Sequence, residues 1–273
     1  MRELQAQIID ELGVKPHIDP QEEIERRISF LDEYLGTTGA AGYVLGISGG
    51  QDSSLTGRLC QRAVERRRAR GAAAMFLAVR LPYAIQHDEA DAVLAVDFIA
   101  PDRAVTFNIK QSVDGMADEY ARATGERIGD FNKGNVKARA RMVAQYALAG
   151  ADGSLVVGTD HAAEALTGFY TKFGDGAADV TPLAGLSKRQ GASMLQRLGA
   201  PARLFEKIPT ADLLDDEPGQ SDEANLGLSY TDIDDYLEGA EVSHEAAERI
   251  ESAFMRSRHK RTVPVGPADT WWR

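Results

Sequence analysis

The chain has 273 residues, 31 of them basic and 42 acidic, which gives a net charge of −11 at pH 7. Such a length is sufficient for one large α/β domain with its own core. The acidic balance argues against a nucleic-acid partner or an anionic membrane surface. The single cysteine, Cys60, cannot form an internal disulfide, and no apolar run reaches the roughly 20 residues of a membrane span. No N-terminal signal peptide is recognisable, so we expect a cytoplasmic protein.

Apolar periodicity predicts an alternating pattern of strands and helices. Two helices, at residues 3–12 and 21–35, precede the first strand. The predicted strands are residues 43–47, 74–79, 104–109 and 155–157, and helices are predicted at 53–70, 88–98, 111–123, 136–149 and 161–166. Because such alternation produces parallel strands joined by crossovers, we predict an α/β fold with an open, mostly parallel sheet and helices on both faces. No composition break divides the chain, so a single domain over residues 1–273 is expected.

Beyond the last strand the sequence predicts two loops and two more helices. Residues 169–180 have no helical or strand period and carry glycines on both sides of Asp175, which indicates a mobile loop. Residues 212–223 are acidic and contain Pro218 and Gly219, which predicts a second loop. Helices are predicted at 230–237 and 243–256, so helical extensions lie at both chain ends.

Residues 46–54 read Gly-Ile-Ser-Gly-Gly-Gln-Asp-Ser-Ser and join the first strand to a helix. Gly49 and Gly50 allow positive φ, so backbone N–H groups can converge on an anion. Three serines, Ser48, Ser53 and Ser54, add hydroxyl donors, and the helix N-terminus adds a favourable dipole. The segment lacks the lysine of a Walker loop and carries Asp52, which suits a magnesium ion. We therefore predict a phosphate-binding loop with a metal ligand.

This loop resembles the pyrophosphate-binding loop of enzymes that split ATP into AMP and pyrophosphate while forming an adenylate. Further segments are similar, in the same order, to those of the ammonia-dependent NAD synthetases: residues 79–83, 132–139, 157–164, 169–179, 186–190, 209–213 and 259–260. The resemblance spans nearly the whole chain. It implies a Rossmann-like, adenine nucleotide alpha hydrolase-like fold and the ATP-dependent amidation of deamido-NAD to NAD.

The resemblance also implies roles for particular residues. For ATP it implies Gly46, Ile47, Ser48, Gly49, Gly50, Gln51, Asp52, Ser53, Ser54, Arg80, Gln86, Thr159, Lys188 and Thr210. For deamido-NAD it implies Arg139, Lys172, Asp179, His259 and Lys260, and for Mg²⁺ it implies Asp52 and Glu164. Asp52 and Lys188 are then catalytic, Lys188 supplying the positive charge that the loop lacks. As a hypothesis, Asp175 helps to deprotonate ammonium.

From the residues alone, several of these side chains have simpler interpretations. Glu164, Lys188, Thr210 and Arg139 are each consistent with an ordinary solvated surface position. Thr159 and Asp160 suit caps of the following helix. The sequence favours a packed or capping His161 over a catalytic one, because no nucleophile motif accompanies it.

The resemblance further implies ammonia as the nitrogen donor, because 42 residues before the first strand leave no room for a glutaminase domain. It implies a homodimer with the dinucleotide at the interface, for which the apolar helical faces at the chain ends are suitable. Two other functions stay open. A tRNA-modifying enzyme with the same loop is disfavoured by the net charge and by the lack of an RNA-binding segment. A non-catalytic nucleotide-binding regulator is disfavoured by the joint presence of Asp52, Glu164 and Lys188.

Overall fold

A computed structural model describes residues 1–84, 89–207 and 221–272. The elements of these residues are, in chain order, α1 (Glu3–Leu12), α2 (Pro20–Thr38), β1 (Gly42–Gly46), α3 (Gln51–Ala69), β2 (Met75–Arg80), α4 (Glu89–Ile99), β3 (Arg103–Thr106), α5 (Lys110–Thr124), α6 (Asp130–Asp152), β4 (Leu155–Val156), α7 (Ala162–Thr167), α8 (Lys188–Arg197), α9 (Arg203–Glu206), α10 (Asp222–Leu226), α11 (Tyr230–Leu237), α12 (His244–Arg256) and α13 (Arg258–Arg261).

The four predicted strands form one sheet in the order β3-β2-β1-β4, and every pairing is parallel. The predicted parallel α/β sheet is therefore confirmed. Strand β3 ends at Thr106, three residues before its predicted end. Its neighbour β2 ends at Arg80 and is followed by Pro82, which has no N–H to continue a ladder.

Side chains of β1 alternate between two hydrophobic layers, as the period of a strand requires. Tyr43 and Leu45 lie in a core cluster with residues of α2, α3 and α8. Val44 points to the opposite side, into a cluster with residues of α5 and α6. Helices therefore cover both faces of the sheet. The carboxyl ends of β1 and β4, where the segments leading to α3 and α7 begin, lie at the same end of the sheet.

A third cluster joins the two ends of the chain beside α7. Ile8 of α1, Ile233 of α11 and Ile250 of α12 are all fully buried in it, together with Leu166 of α7. The apolar faces of the terminal helices are consequently packed within the chain. The expectation that these faces would serve a dimer interface is wrong, because each already has a partner in the same fold.

Several boundaries differ from the predicted ones. Helix α6 begins at Asp130, six residues early, because its first turns are polar and carry no apolar period. Residues 169–180 are irregular as predicted, apart from a bridge between Val157 and Val180; their mobility stays a prediction. Of the second predicted loop, residues 212–220 lie outside the described residues, and residues 222–223 begin α10. Among the described residues, no helix is both long and apolar enough to cross a membrane.

Candidate functional site

The glycine loop between β1 and α3 lies at the carboxyl end of the sheet. Gly49 has φ +87°, and a Cβ there would lie 2.5 Å from the backbone nitrogen of Ala92, so only glycine fits. Gly50 instead has φ −86° and precedes the first residue of α3, Gln51. The expectation of positive φ is thus confirmed at Gly49 and wrong at Gly50, which forms the N-cap of the helix.

The three serines of the loop hold its shape. Ser54 is fully buried, and its hydroxyl donates to the carbonyl oxygen of Gly50 at 2.7 Å. The Ser53 hydroxyl also donates to that oxygen, at 3.2 Å, and accepts from the N–H of Ser48. Ser48 is exposed at the mouth of the loop. The loop is therefore pre-shaped, with Ser48 the serine best placed to meet a ligand.

Asp52 and Lys188 come from distant parts of the chain and form a partly buried ion pair. The ammonium of Lys188 lies 2.7 Å from Oδ2 of Asp52. Burial alone would raise the pKa of Asp52, but chiefly the charge of Lys188 holds it below its usual value. Burial would likewise lower the pKa of Lys188, and Asp52 and Glu164 raise it instead. Both groups are thus charged at neutral pH.

The backbone of Lys188 is fixed on both sides. Asp234 of α11, which is 3% exposed, accepts from the N–H groups of Lys188 and Arg189 at 2.9 and 2.8 Å. The side-chain amide of Gln51 donates to the carbonyl oxygen of Lys188 at 2.8 Å. Helix α8 begins at Lys188, where a cation opposes the helix dipole, as predicted from the sequence.

Glu164 and His161 face the same carboxylate from the start of α7. Nε2 of His161 lies 3.7 Å from Oδ1 of Asp52 and 3.7 Å from Oε2 of Glu164. The candidate ligand atoms of the three residues all lie within 4.8 Å of one another. Asp52 and Glu164 are therefore brought together as predicted, and their carboxylate oxygens suit a hard divalent cation.

Acidic groups outnumber cations in this crevice. Burial, with the charges of Asp52 and Asp160, raises the pKa of Glu164 well above its usual value. Burial, with Asp175 and Asp52, raises the pKa of Asp160 to about 7. Burial lowers the pKa of His161 to about 4, so the imidazole is neutral. A bound dication would relieve this crowding of carboxylates, which is the fit expected of a metal site.

The remaining ATP candidates lie around this centre or outside the described residues. Arg80, at the end of β2, donates from Nη2 to Oε1 of Glu89 at 2.9 Å. Thr159 is half-buried between β4 and α7. The candidates Gln86 and Thr210 fall within residues 85–88 and 208–220, which are not described.

Four of the five dinucleotide candidates, Arg139, Lys172, His259 and Lys260, are connected by hydrogen bonds around the backbone of residues 168–172. Nη2 of Arg139 donates to the carbonyl oxygen of Lys172 at 3.1 Å. The Lys172 ammonium donates to the carbonyl oxygen of His259 at 2.6 Å. Lys260 donates to the carbonyl oxygens of Gly168 and Tyr170 at 2.8 and 2.7 Å. Helix α13 thus makes hydrogen bonds to the start of the loop at residues 169–180, and cationic side chains lie beside that loop.

Asp179 and Asp175 lie at other points of the same loop. Asp179 is exposed and contacts β4, where its Oδ2 accepts from the N–H of Val156 at 2.7 Å. Asp175 is also exposed, and its Oδ1 accepts from the N–H of Thr171 at 3.1 Å. The charge of Asp175 contributes to the raised pKa of Asp160.

The sequence missed three features of the site. Thr159 and Asp160 do not cap α7, because the helix begins later and its N-cap is His161. His161 is 2% exposed, so a packed histidine is confirmed, but its position against Asp52 and Glu164 was not foreseen. A signal existed, since His161 and Glu164 are three residues apart and share one helix face. For Asp234, 46 residues from Lys188, no local signal exists.

Comparisons with known proteins agree with this geometry. The model of the NAD synthase family matches residues 23–264. The chain is 62% identical over 272 residues to the NH(3)-dependent NAD(+) synthetase of Leifsonia xyli subsp. xyli, covering 100% of this chain and 98% of that protein. The corresponding protein of Bacillus subtilis is 58% identical over 270 residues, with 99% of each covered.

Solved structures are also similar to this chain. The NAD+ synthetase of Burkholderia pseudomallei is similar with a TM-score of 0.83 and 46% identity, covering 95% of this chain and 96% of that one. The NMN synthetase of Francisella tularensis is similar with a TM-score of 0.80 and 33% identity, covering 93% and 100%. With a family model that matches most of its length and relatives this similar, the chain belongs to the NAD synthase family.

Proposed function

We propose that this chain is an ammonia-dependent NAD synthetase, a ligase that converts deamido-NAD, ATP and ammonia to NAD, AMP and pyrophosphate. The observation that carries the proposal is the meeting of Asp52, Lys188 and Glu164 at the mouth of the glycine loop. Full-length identity of 58–62% to proteins with this activity in their names supports the choice of substrates.

In the first step the nicotinate carboxylate attacks the α-phosphorus of ATP, and pyrophosphate leaves. Negative charge grows on the leaving pyrophosphate, and stabilising that charge is the main task of the site. The loop amides and the N-terminus of α3 face the phosphates. Lys188 is held by Asp234 and Gln51 before substrate binds, so its ammonium needs little reorganisation during the reaction.

Asp52 and Glu164 would hold Mg²⁺ at this site. The crowding of carboxyl groups around Glu164 and its buried Oε2, which has no hydrogen-bond partner among the described residues, are consistent with that role. When bound, the metal would supply positive charge to the phosphate oxygens.

In the second step ammonia attacks the activated carbonyl carbon, and AMP leaves. In this proposal Asp175, whose side chain is exposed and whose charge acts on Asp160, accepts a proton from ammonium. Closure of residues 169–180 would keep water from the adenylate. An Asp175→Asn variant with full ammonia-dependent turnover would remove Asp175 from this role.

A homodimer forms part of the proposal, with a different surface from the one the sequence suggested. Helices α5 and α6 carry large exposed apolar residues, namely Met116, Tyr120, Phe131, Val143 and Tyr146. Arg139, a dinucleotide candidate, is on the same α6, so a partner docked here would border that site. We expect Val143→Glu to lower the dimer fraction in sedimentation, whereas Met255→Glu, an exposed methionine on α12, leaves it unchanged.

The test is pyrophosphate release with ATP, Mg²⁺ and deamido-NAD, run with ammonium and then with glutamine, while NAD is assayed in parallel. NAD formed with ammonium alone supports the proposed reaction and donor. Because one structural neighbour is an NMN synthetase, nicotinic acid mononucleotide is included as a competing acceptor. Faster amidation of the mononucleotide would replace the proposed substrate, and no acceptor-dependent pyrophosphate would overturn the reaction. The predicted cytoplasmic location is compatible with these metabolites.

A further inference from the structure

The start of α7 places an imidazole between the two carboxylates of the predicted metal site. Nε2 of His161 lies 3.7 Å from Oδ1 of Asp52 and from Oε2 of Glu164. Two ligands of one metal lie up to about 4.2 Å apart when each bond is about 2.1 Å. One ion can therefore contact Nε2 and either oxygen in the present arrangement. A small rotation of one carboxylate brings in the third ligand, since each of the three residues has a candidate ligand atom within 4.8 Å of those of the other two.

His161 and Glu164 have polar atoms that the rest of the described chain leaves unsatisfied. His161 is 2% exposed, and neither ring nitrogen has a hydrogen-bond partner among the described residues. The same holds for Oε2 of Glu164, which points to the same spot. A buried polar atom without a hydrogen bond destabilises the fold, because it has lost its contact with water and gained nothing in return. A ligand that accepts electron pairs from both atoms would remove this destabilisation.

The two oxygens of Asp52 face different groups. Oδ2 accepts from the Lys188 ammonium at 2.7 Å, while Oδ1 faces His161. The ion pair with Lys188 therefore does not occupy the oxygen that a metal would use. Metal and lysine can share the carboxylate, which keeps both positive charges close to the phosphate loop.

We infer that His161 is a third protein ligand of this metal site, and that the site accordingly binds Mn²⁺ more tightly than Mg²⁺. Mg²⁺ is bound mainly by oxygen and retains water, whereas imidazole is a good ligand for first-row transition metals. A site with two carboxylates and one imidazole thus favours the softer ion. The inference deepens the proposed function by naming a ligand and a metal class, and it rests on that function only for the use made of the metal.

The direct test is pulsed electron paramagnetic resonance of the full-length protein with Mn²⁺ alone. Protein with ¹⁵N in the histidine rings is compared with unlabelled protein, so that imidazole is distinguished from Lys188 and backbone nitrogens. We expect a coupling between the bound Mn²⁺ and a directly coordinated nitrogen that changes with the label. Bound Mn²⁺ without imidazole coupling would overturn the inference.

The second test measures affinity with the same probe. Free Mn²⁺ is followed by its resonance signal during titration, and Mg²⁺ is then added as a competitor. His161→Gln keeps a polar side chain but removes the imidazole, and we expect it to weaken Mn²⁺ binding about tenfold or more, as loss of one ligand contact does. Mg²⁺ binding should change less. His17→Gln, at an exposed histidine before α2, is the matched control and should bind Mn²⁺ as the native chain does.

The outcomes separate this inference from the proposed reaction. Nitrogen coupling in a protein that does not make NAD would support the metal site and reject the synthetase assignment. NAD synthesis without nitrogen coupling would support the synthetase assignment and reject His161 as a metal ligand. If His161→Gln does not fold, as judged by circular dichroism, the isotope experiment on the native sequence still decides.

Discussion

The fold contains two buried ionic groups with opposite charge balance. Comparing them shows how an ionic group that stabilises the fold differs from one that can bind a ligand. On α2, the carboxylate of Glu23 is surrounded by three cations, namely Arg26, Arg27 and Lys15. At the loop, the ammonium of Lys188 lies among several carboxylates that include Asp52 and Glu164. Burial would raise the pKa of Glu23, but its arginines hold it below the usual value. The pKa of Glu164 is raised instead.

The two groups also differ in the contacts that their excess charged atoms make. Nη1 of Arg27 donates to the carbonyl oxygens of Pro182 and Ala184, which joins the cationic group to neighbouring backbone, and Nε of Arg27 is its one buried donor without a hydrogen-bond partner among the described residues. Oε2 of Glu164 has no partner among the described residues. Burial of an ion pair therefore does not mark a site, whereas an excess of carboxylate with unpartnered oxygen does, because it leaves a place for a cationic ligand.

The largest expected effect comes from Lys188, the cation that pairs with Asp52 in the loop group. Lys188→Met removes the charge that stabilises the leaving pyrophosphate, and we expect kcat to fall by about 10²–10³. The measurement is NAD formation with saturating substrates and Mg²⁺. Arg189→Met is the control, because the neighbouring Arg189 pairs with Asp235 and Glu238 at the surface. Retention of most turnover in Lys188→Met would place the catalytic charge elsewhere.

A substitution in the α2 group should lower the stability of the fold and leave turnover unchanged. Arg27→Met leaves buried Glu23 with fewer partners, and we expect the free energy of unfolding to fall by about 3 kcal/mol. Urea denaturation measures this change, and kcat per folded molecule should stay near the native value. Arg26→Met, at a side chain that is 55% exposed, should cost less than about 1 kcal/mol. A large loss of kcat in Arg27→Met would mean that α2 acts on the site.

The next effect concerns the crowding of carboxylates and depends on pH. The pKa of Asp160 is about 7 in the fold, against about 4 in an unfolded chain. The contribution of protonated Asp160 to the free energy of unfolding is therefore fully present below about pH 4. That contribution is lost as the pH rises through about 7. The difference of about three between these pKa values represents about 4 kcal/mol, and about half of it remains because Asp160 is partly exposed and solvent screens its charge. Asp160→Asn should then stabilise the metal-free protein at pH 8 by on the order of 2 kcal/mol, with little effect near pH 4.

Urea denaturation in the presence of a chelator measures this stabilisation, and added Mn²⁺ should reduce it because the metal supports the ionised carboxylates. Asp235→Asn, at a surface ion pair, is the control. A gain that does not depend on pH would indicate better packing and not relief of charge.

Local patterns explain why much of this molecule could be predicted. The strands, most helices and the phosphate loop depend on spacing within about ten residues, and the elements α1 and α11 have the predicted limits. Contacts across the fold carry no such pattern. The position of His161 against Asp52 depends on how β1 and β4 lie side by side, and the burial of the terminal helices depends on α7. Gly50 differs from Gly49 because α3 begins directly after it.

The smallest effect tests a contact that only the fold reveals. Asp234→Asn keeps one acceptor oxygen for the two N–H groups at the start of α8, so Lys188 should lose part of its alignment with Asp52. We expect kcat to fall about tenfold, within the range that small misplacements cause, while KM for deamido-NAD stays near its native value. Asp235→Asn, one residue further on, lacks these contacts and should retain kcat. If Asp234→Asn only lowers the unfolding temperature, Asp234 contributes to stability alone, and the alignment of Lys188 depends on Gln51.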